Sequence, residues 1–149
     1  VGLQFEYDRD ARSVKIHQDR YTYDVLERFG MTECHPKSTP VPTNYNRDPQ
    51  SVPLDAKDTN LYLQIVGSMM YLAVCTRPDI AYLMHCLCKG MSQPTVLHME
   101  LAKRGLAYIK KTQDWGLYYT ERSPLVGYTD SDWANDTENR KSITGYCFL

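Results

Sequence analysis

Nowhere in this 149-residue chain does an apolar run approach the ~20 residues that cross a bilayer, so no membrane span or membrane partner is expected. The N-terminal Val-Gly-Leu-Gln-Phe lacks the basic segment of a secretory signal, and no initiator methionine stands before it. A chain that starts and stops inside strand-like sequence reads as a piece of something longer. An excess of charge is also missing: 17 basic residues face 18 acidic ones, for a formal charge of −1. Such a balance excludes a disordered acidic tail and a strongly basic nucleic-acid binder, so any nucleic-acid contact has to come from local patches. The five cysteines, at 34, 75, 86, 88 and 147, form no CxxC pair, and neither a zinc module nor a disulfide framework is suggested. Reduced thiols and an intracellular location, cytoplasmic or nuclear and not secreted, are expected. Cys86 and Cys88 point about 200° apart on a helix and read as small core residues.

What is present is one domain's worth of sequence, 42% apolar, with a legible order of elements. Leu3, Phe5 and Tyr7 alternate with polar neighbours, residues 8–13 supply a turn, and Val14 and Ile16 alternate again, which predicts a hairpin over 2–17. Tyr21, Val25, Leu26 and Phe29 fall at helical spacing before Gly30, a C-terminal stop. Residues 35–55 hold Pro36, Pro40, Pro42, Pro49 and Pro53 without periodicity, which predicts a linker or surface loop. The stretch 60–74 is apolar nearly all round, as in a central helix buried on several sides, with Gly67 admitting a neighbouring backbone. Thr76-Arg77-Pro78-Asp79 reads as a helix restart, and Ile80, Leu83, Met84, Leu87, Cys88 and Met91 follow at helical spacing. Thr95 is placed to cap a further helix to about Thr112. That helix carries Lys103, Arg104, Lys110 and Lys111 as one basic stripe, which from spacing alone is a solvated face. Residues 116–120, 125–132 and 142–149 read as three strands of an antiparallel meander, divided at 122–124 and by the polar stretch 134–141.

In the second of these strands Asp130 and Asp132 share a face, so their carboxylates stand close and repel unless a cation lies between. One of them facing solvent at a frayed edge is the plain structural account. A calcium loop is excluded, because its sixth and twelfth positions fall on Asn135 and Lys141 instead of Gly and Glu. A phosphoaspartyl enzyme places Asp-x-Asp after an apolar strand but needs a long α/β domain downstream. A two-metal nuclease would take one corner of its site from this strand.

Three stretches resemble the Pol polyprotein of copia-type LTR retrotransposons: Gly2-Leu-Gln-Phe-Glu-Tyr, the run YLQIVGSMMYLAVCTRPDIAY and the run VGYTDSDWANDTENRKSITGYCFL. The resemblance implies an α+β chain. Its parts would be an N-terminal hairpin, a thumb- or connection-like bundle of about four helices, and the first antiparallel strands of an incomplete ribonuclease H-like sheet. Residues 1–112 would be the end of a reverse transcriptase palm with its thumb, and 113–149 the start of ribonuclease H. It further implies that Asp130 is a magnesium ligand in the complete parent and Asp132 the second acid of that motif. The hairpin would be a primer grip. The stripe of Lys103, Arg104, Lys110 and Lys111 would lie against a template-primer RNA/DNA duplex, and the remainder of the polyprotein would be a partner. No Tyr-x-Asp-Asp turn occurs in the chain. Alone, therefore, it is expected to be catalytically inert, to bind duplex weakly at most and to hold magnesium poorly. A remnant kept as a protein or RNA interaction module is the alternative.

Overall fold

The computed structural model describes residues 2–43, 45, 50–121, 124–133 and 142–149; the polar stretch 134–141, Arg122-Ser123 and part of the proline-rich segment lie outside the described residues. The chain is mixed α+β, with four α-helices and two small antiparallel sheets. β1 (Gln4–Asp8) and β2 (Ser13–His17) form the expected hairpin. Asp8 accepts the Ala11 amide at 2.8 Å in its turn, and Arg12 takes φ 49°. Helix α1 (Asp19–Arg28) ends at Gly30, whose φ of 64° lets the Met31 amide reach back to the Leu26 carbonyl. Helix α2 (Ala56–Cys75) starts four residues before the expected Asn60, because Asp55 accepts the Asp58 amide at 2.7 Å and caps it. A single 3-10 turn (Pro78–Ile80) leads into α3 (Ala81–Lys89). Helix α4 (Val96–Lys111) opens on the predicted Thr95, in a capping box completed by His98.

The core lies among the helices. Val25 and Leu26 of α1, Tyr62, Ile65, Val66, Met69 and Leu72 of α2, Leu83 and Leu87 of α3, and Leu101, Leu106 and Ile109 of α4 are all buried. The proline-rich segment is laid against this core by Val41, Tyr45 and Leu54. Its end is pinned where the Leu54 amide donates to Pro94 and the Val96 amide to Val52. The close approach expected at Gly67 occurs at Gly105 instead. Gly67 is exposed, and a Cβ there would meet nothing within 4 Å, so α2 is buried on one broad side only. Gly105 is the site of close approach: a Cβ there would stand 2.5 Å from Leu83 Cδ2 and 3.2 Å from Met69 Sδ. Its helix-propensity cost is thus tied to how closely α4 meets α2 and α3.

Strand pairing also departs from the meander. β3 (Gly116–Thr120) joins the N-terminal hairpin in the order β1-β2-β3, and β4 (Gly127–Ser131) and β5 (Thr144–Phe148) pair only with each other among the described residues. The alternation of Leu117 and Tyr119 matches that of Ile16 and Val14 across the strand, and Gly116 leaves room for the Ile16 carbonyl and the His17 side chain. The end of α4 is fixed so that the chain returns to that edge.

The fixing group is Arg77, 2% exposed. Its Nε and Nη2 donate to the two oxygens of Asp79 at 2.9 and 2.8 Å, while Nη1 donates to the Thr112 carbonyl at 2.9 Å and Nη2 to the Thr112 hydroxyl at 2.5 Å. Tyr108 donates its hydroxyl to Asp79 at 2.9 Å, and the rings of Tyr108 and Trp115 each lie 5.8 Å from the guanidinium carbon. One cation thus closes the α2–α3 junction and caps the C-terminal end of α4. Alongside, Thr76 donates to the side chain of buried Gln18 at 2.8 Å, tying the same junction to the start of α1. Burial raises the Asp79 pKa, but the hydrogen bonds and charge of Arg77, with the Tyr108 hydroxyl, outweigh it and hold the carboxyl below its ordinary 3.8. The Tyr108 phenol is pushed up by burial and by the carboxylate that it serves.

Gly67→Ala should raise unfolding free energy by about 0.5–1 kcal/mol and Gly105→Ala should lower it by about 1 kcal/mol, overpacking outweighing the gain in helix propensity. Urea denaturation measures both. Asp79→Ala should cost about 3 kcal/mol, because it strands a buried guanidinium, and the double variant Arg77→Met/Asp79→Leu should recover part of that loss. Because the Asp79 pKa is lowered on folding, its contribution is complete above pH 3.8 and is lost as the pH falls below that value. A denaturation series across that acid range should lose this component of its slope in Asp79→Ala.

Candidate functional site

The two aspartates singled out by the sequence sit at the end of the β4–β5 hairpin in different settings. Asp130 lies in β4, exposed, opposite Gly145, so no side chain faces it across the ladder. Asp132 lies beyond Ser131, the last residue of β4. Its amide donates to the Ile143 carbonyl at 3.1 Å, and its Oδ1 accepts the Ile143 amide at 2.8 Å. The strand expected over 125–132 is shorter than its sequence pattern because Asp132 closes the ladder with its own side chain. Every residue of β4 and β5 is exposed, and Trp133 next to them is 89% exposed. Among the described residues no group of three or more His, Cys, Asp or Glu side chains is placed to hold a metal ion. Of the two carboxylates, Asp130 is exposed and Asp132 has one oxygen engaged with backbone.

The basic stripe of α4 is divided between two tasks. Lys103 and Lys111 are exposed. Arg104 donates to the Thr39 hydroxyl and Lys110 to the Cys34 carbonyl, each at 2.8 Å, and between them the Lys37 amide donates to the Ala107 carbonyl at 3.1 Å. Half of the stripe therefore straps residues 34–39 along α4. Helical spacing gave no sign of this, since the partners are a hydroxyl and a carbonyl some 65 to 76 residues away.

No sequence pattern announces the polar contacts within the hairpin and between it, α1 and the end of β3. His17, 2% exposed, stands 2.6 Å from Asp19 and 3.3 Å from Glu6, at ion-pair distance but outside hydrogen-bond geometry. Gln4 accepts the Arg20 amide at 3.0 Å, and Arg12 reaches both oxygens of Glu121, past the end of β3, at 2.9 and 2.7 Å. In the sequence, Arg77 reads as part of a helix restart. The available signal was an arginine directly before Pro-Asp between two strongly apolar helices, where a cation cannot be left without a partner.

Among the described residues no helix is long and apolar enough to cross a membrane. No protein-family model and no solved structure matches the chain. It is 38% identical over 134 residues to the uncharacterized mitochondrial protein AtMg00810 of Arabidopsis thaliana, covering 89% of this chain and 55% of that one. It is 36% identical over 154 residues to the retrovirus-related Pol polyprotein from transposon TNT 1-94 of Nicotiana tabacum, covering 99% of this chain and 12% of the polyprotein. It is also 36% identical over 146 residues to the polyprotein from transposon RE2 of Arabidopsis thaliana, covering 97% of this chain and 10% of that one. The chain thus spans about half of the first relative and about a tenth of the polyproteins. Similarity at this level along nearly the whole chain places it in the family of Pol polyproteins from copia-type retrotransposons.

Proposed function

We propose that this chain is a Pol segment whose parent copies RNA into DNA and hydrolyses the RNA strand of RNA/DNA hybrids, and which performs neither reaction alone. The observation that carries this reading is the acidic pair: Asp130 is presented at an exposed strand, while Asp132 is bound to the Ile143 amide and shapes the hairpin. Asp130 is then the magnesium ligand of the complete parent, and Asp132 ties the neighbouring strand ends together through Ile143. Cleavage would require further carboxylates from polypeptide beyond these residues, since magnesium-assisted phosphoryl transfer is clamped by several ligands from separate elements. The hairpin β1–β2 fits the role of primer grip, and the pairing of β3 with β2 supports ending the polymerase-derived part near residue 121 instead of 112. The remaining contact with a template-primer duplex falls to Lys103 and Lys111, since Arg104 and Lys110 are occupied by the strap.

In a magnesium-dependent cleavage assay on an RNA/DNA hybrid, the 149-residue chain should be inactive. A version extended through the following residues of an intact relative should be active. Asp130→Asn should abolish cleavage by the extended protein, and Asp132→Asn should leave reduced cleavage and a less stable hairpin. Robust cleavage by the short chain, surviving Asp130→Asn, contradicts the reading. Lys103→Gln/Lys111→Gln should weaken hybrid binding and flatten the dependence of log affinity on log salt by about two, without changing stability. Arg104→Gln and Lys110→Gln should instead each cost about 0.5–1.5 kcal/mol of stability. Filter binding across a salt series and urea denaturation separate the two pairs.

A further inference from the structure

Among the described residues β5 pairs with β4 alone, which leaves its outer edge open. The direction of each backbone group on that edge follows from the hairpin. Leu149 and Val126 exchange amide and carbonyl at 2.8 Å each way, and the Ile143 carbonyl accepts the Asp132 amide at 3.1 Å. In the same register Cys147 stands opposite Tyr128 and Gly145 opposite Asp130. Antiparallel ladders alternate, so 143, 145, 147 and 149 turn their backbone groups to β4, while Thr144, Tyr146 and Phe148 turn theirs away from it. Three amides and three carbonyls are therefore presented in a row along an exposed strand. The side chains of these three residues share one face, where Tyr146 is 77% and Phe148 67% exposed, with ring centroids 6.2 Å apart.

Open edges are ordinarily blunted by charge. β1 carries Glu6 and Asp8, β4 carries Asp130, and β3 is flanked by Asp114 and Glu121. Residues 142–149 hold no charged side chain and no proline, and half of them are β-branched or aromatic. We propose that this edge is a self-association surface whose occupant is a second copy of this chain, the two β5 strands pairing antiparallel about a two-fold axis at Tyr146. With the axis there, Tyr146 faces Tyr146 of the second copy and Thr144 faces its Phe148, so every outward amide of one strand meets an outward carbonyl of the other. An axis at Gly145 sets Phe148 past the start of the opposite strand, and one at Cys147 sets Thr144 past its end. The occupant is a second copy because the row that completes this edge is the same row read in reverse, as an isologous contact requires. No charged side chain is repeated across the axis, and the facing pairs are aromatic with aromatic and aromatic with β-branched, which are favourable neighbours in a sheet. Pairing also turns a two-stranded hairpin, marginal by itself, into a four-stranded sheet. An edge contact covers less surface than a standard interface, so the association is weak and concentration-dependent.

Sedimentation of the 149-residue chain across a concentration series, in the presence of reductant, tests it. A monomer–dimer equilibrium is expected, and the amides of Thr144, Tyr146 and Phe148 should exchange several-fold more slowly at the dimer end of the series than at the monomer end. Tyr146→Lys sets like charges across the axis and should abolish the dimer, with urea denaturation of the helical core unchanged because the side chain is exposed. Tyr146→Glu should do the same. An equimolar mixture of the two variants should dimerise again, since opposite charges then face each other. Tyr7→Lys, in the other sheet, should leave the dimer as it is. Absence of association up to millimolar concentration overturns the proposal. So does a dimer that survives Tyr146→Lys or is lost in Tyr7→Lys, which assigns the contact to another surface. Failure of the mixed variants to associate moves the axis away from Tyr146 and likewise overturns it. Growth into fibres overturns it too, because continued edge pairing has to recruit a second edge such as that of β4. Association seen only when reductant is omitted is a disulfide and counts against it in the same way. None of these outcomes touches the cleavage and hybrid-binding tests above, so the two readings fail separately.

Discussion

A guanidinium enclosed among helices must have every donor answered, and that requirement at Arg77 organises the fold. The cation sits where α2 gives way to α3, and its partners are Asp79 on the next turn and Thr112 at the end of α4. Satisfying it fixes three helix ends at once. The same junction holds Gln18 through Thr76, which sets the start of α1 and hence the exit of β2. With the end of α4 anchored, β3 returns beside β2, and the sheet is completed from both ends of the helical region. Arginine suits this position because its planar fork serves a carboxylate and a backbone carbonyl together and it does not lose its charge; a lysine would serve one partner at a time.

Much of this was legible in the sequence where the signal is local. The hairpin, the stop at Gly30, the cap at Thr95 and the apolar period of α3 each follow from residues within a few positions of one another. Long-range choices were not. The expected meander and the observed β1-β2-β3 order use the same strands, and what decides between them is the geometry at the end of α4. Gly67 and Gly105 illustrate the same limit. A glycine inside a helical pattern announces room, and only packing tells whether a neighbour uses it. For the candidate site, residue types were readable and their employment was not, since Asp132, Arg104 and Lys110 are engaged by backbone or hydroxyl partners that leave no pattern.

The chain thus joins two parts of different self-sufficiency. Residues 4–120 contain a buried helical core and a sheet tied to it through His17, Gln4 and Gln18. The β4–β5 hairpin has a full ladder and no buried residue, and an isolated two-stranded hairpin is marginal in water. The acid proposed as a metal ligand is carried by the weaker part. Membership of the Pol family and the inactivity proposed for this piece are then compatible, because a marginal hairpin would hold metal ligands poorly at fixed positions.

Native-state hydrogen exchange separates the two parts of the chain, because it reads the stability of each element. Amides of α2, α3 and α4 should exchange only by global unfolding, with those of β2 close behind, while amides of β4 and β5 should exchange by local opening at nearly unprotected rates. Protection of β4 and β5 equal to that of the helices would contradict this division, and would mean that the acidic hairpin is an integral part of the folded unit.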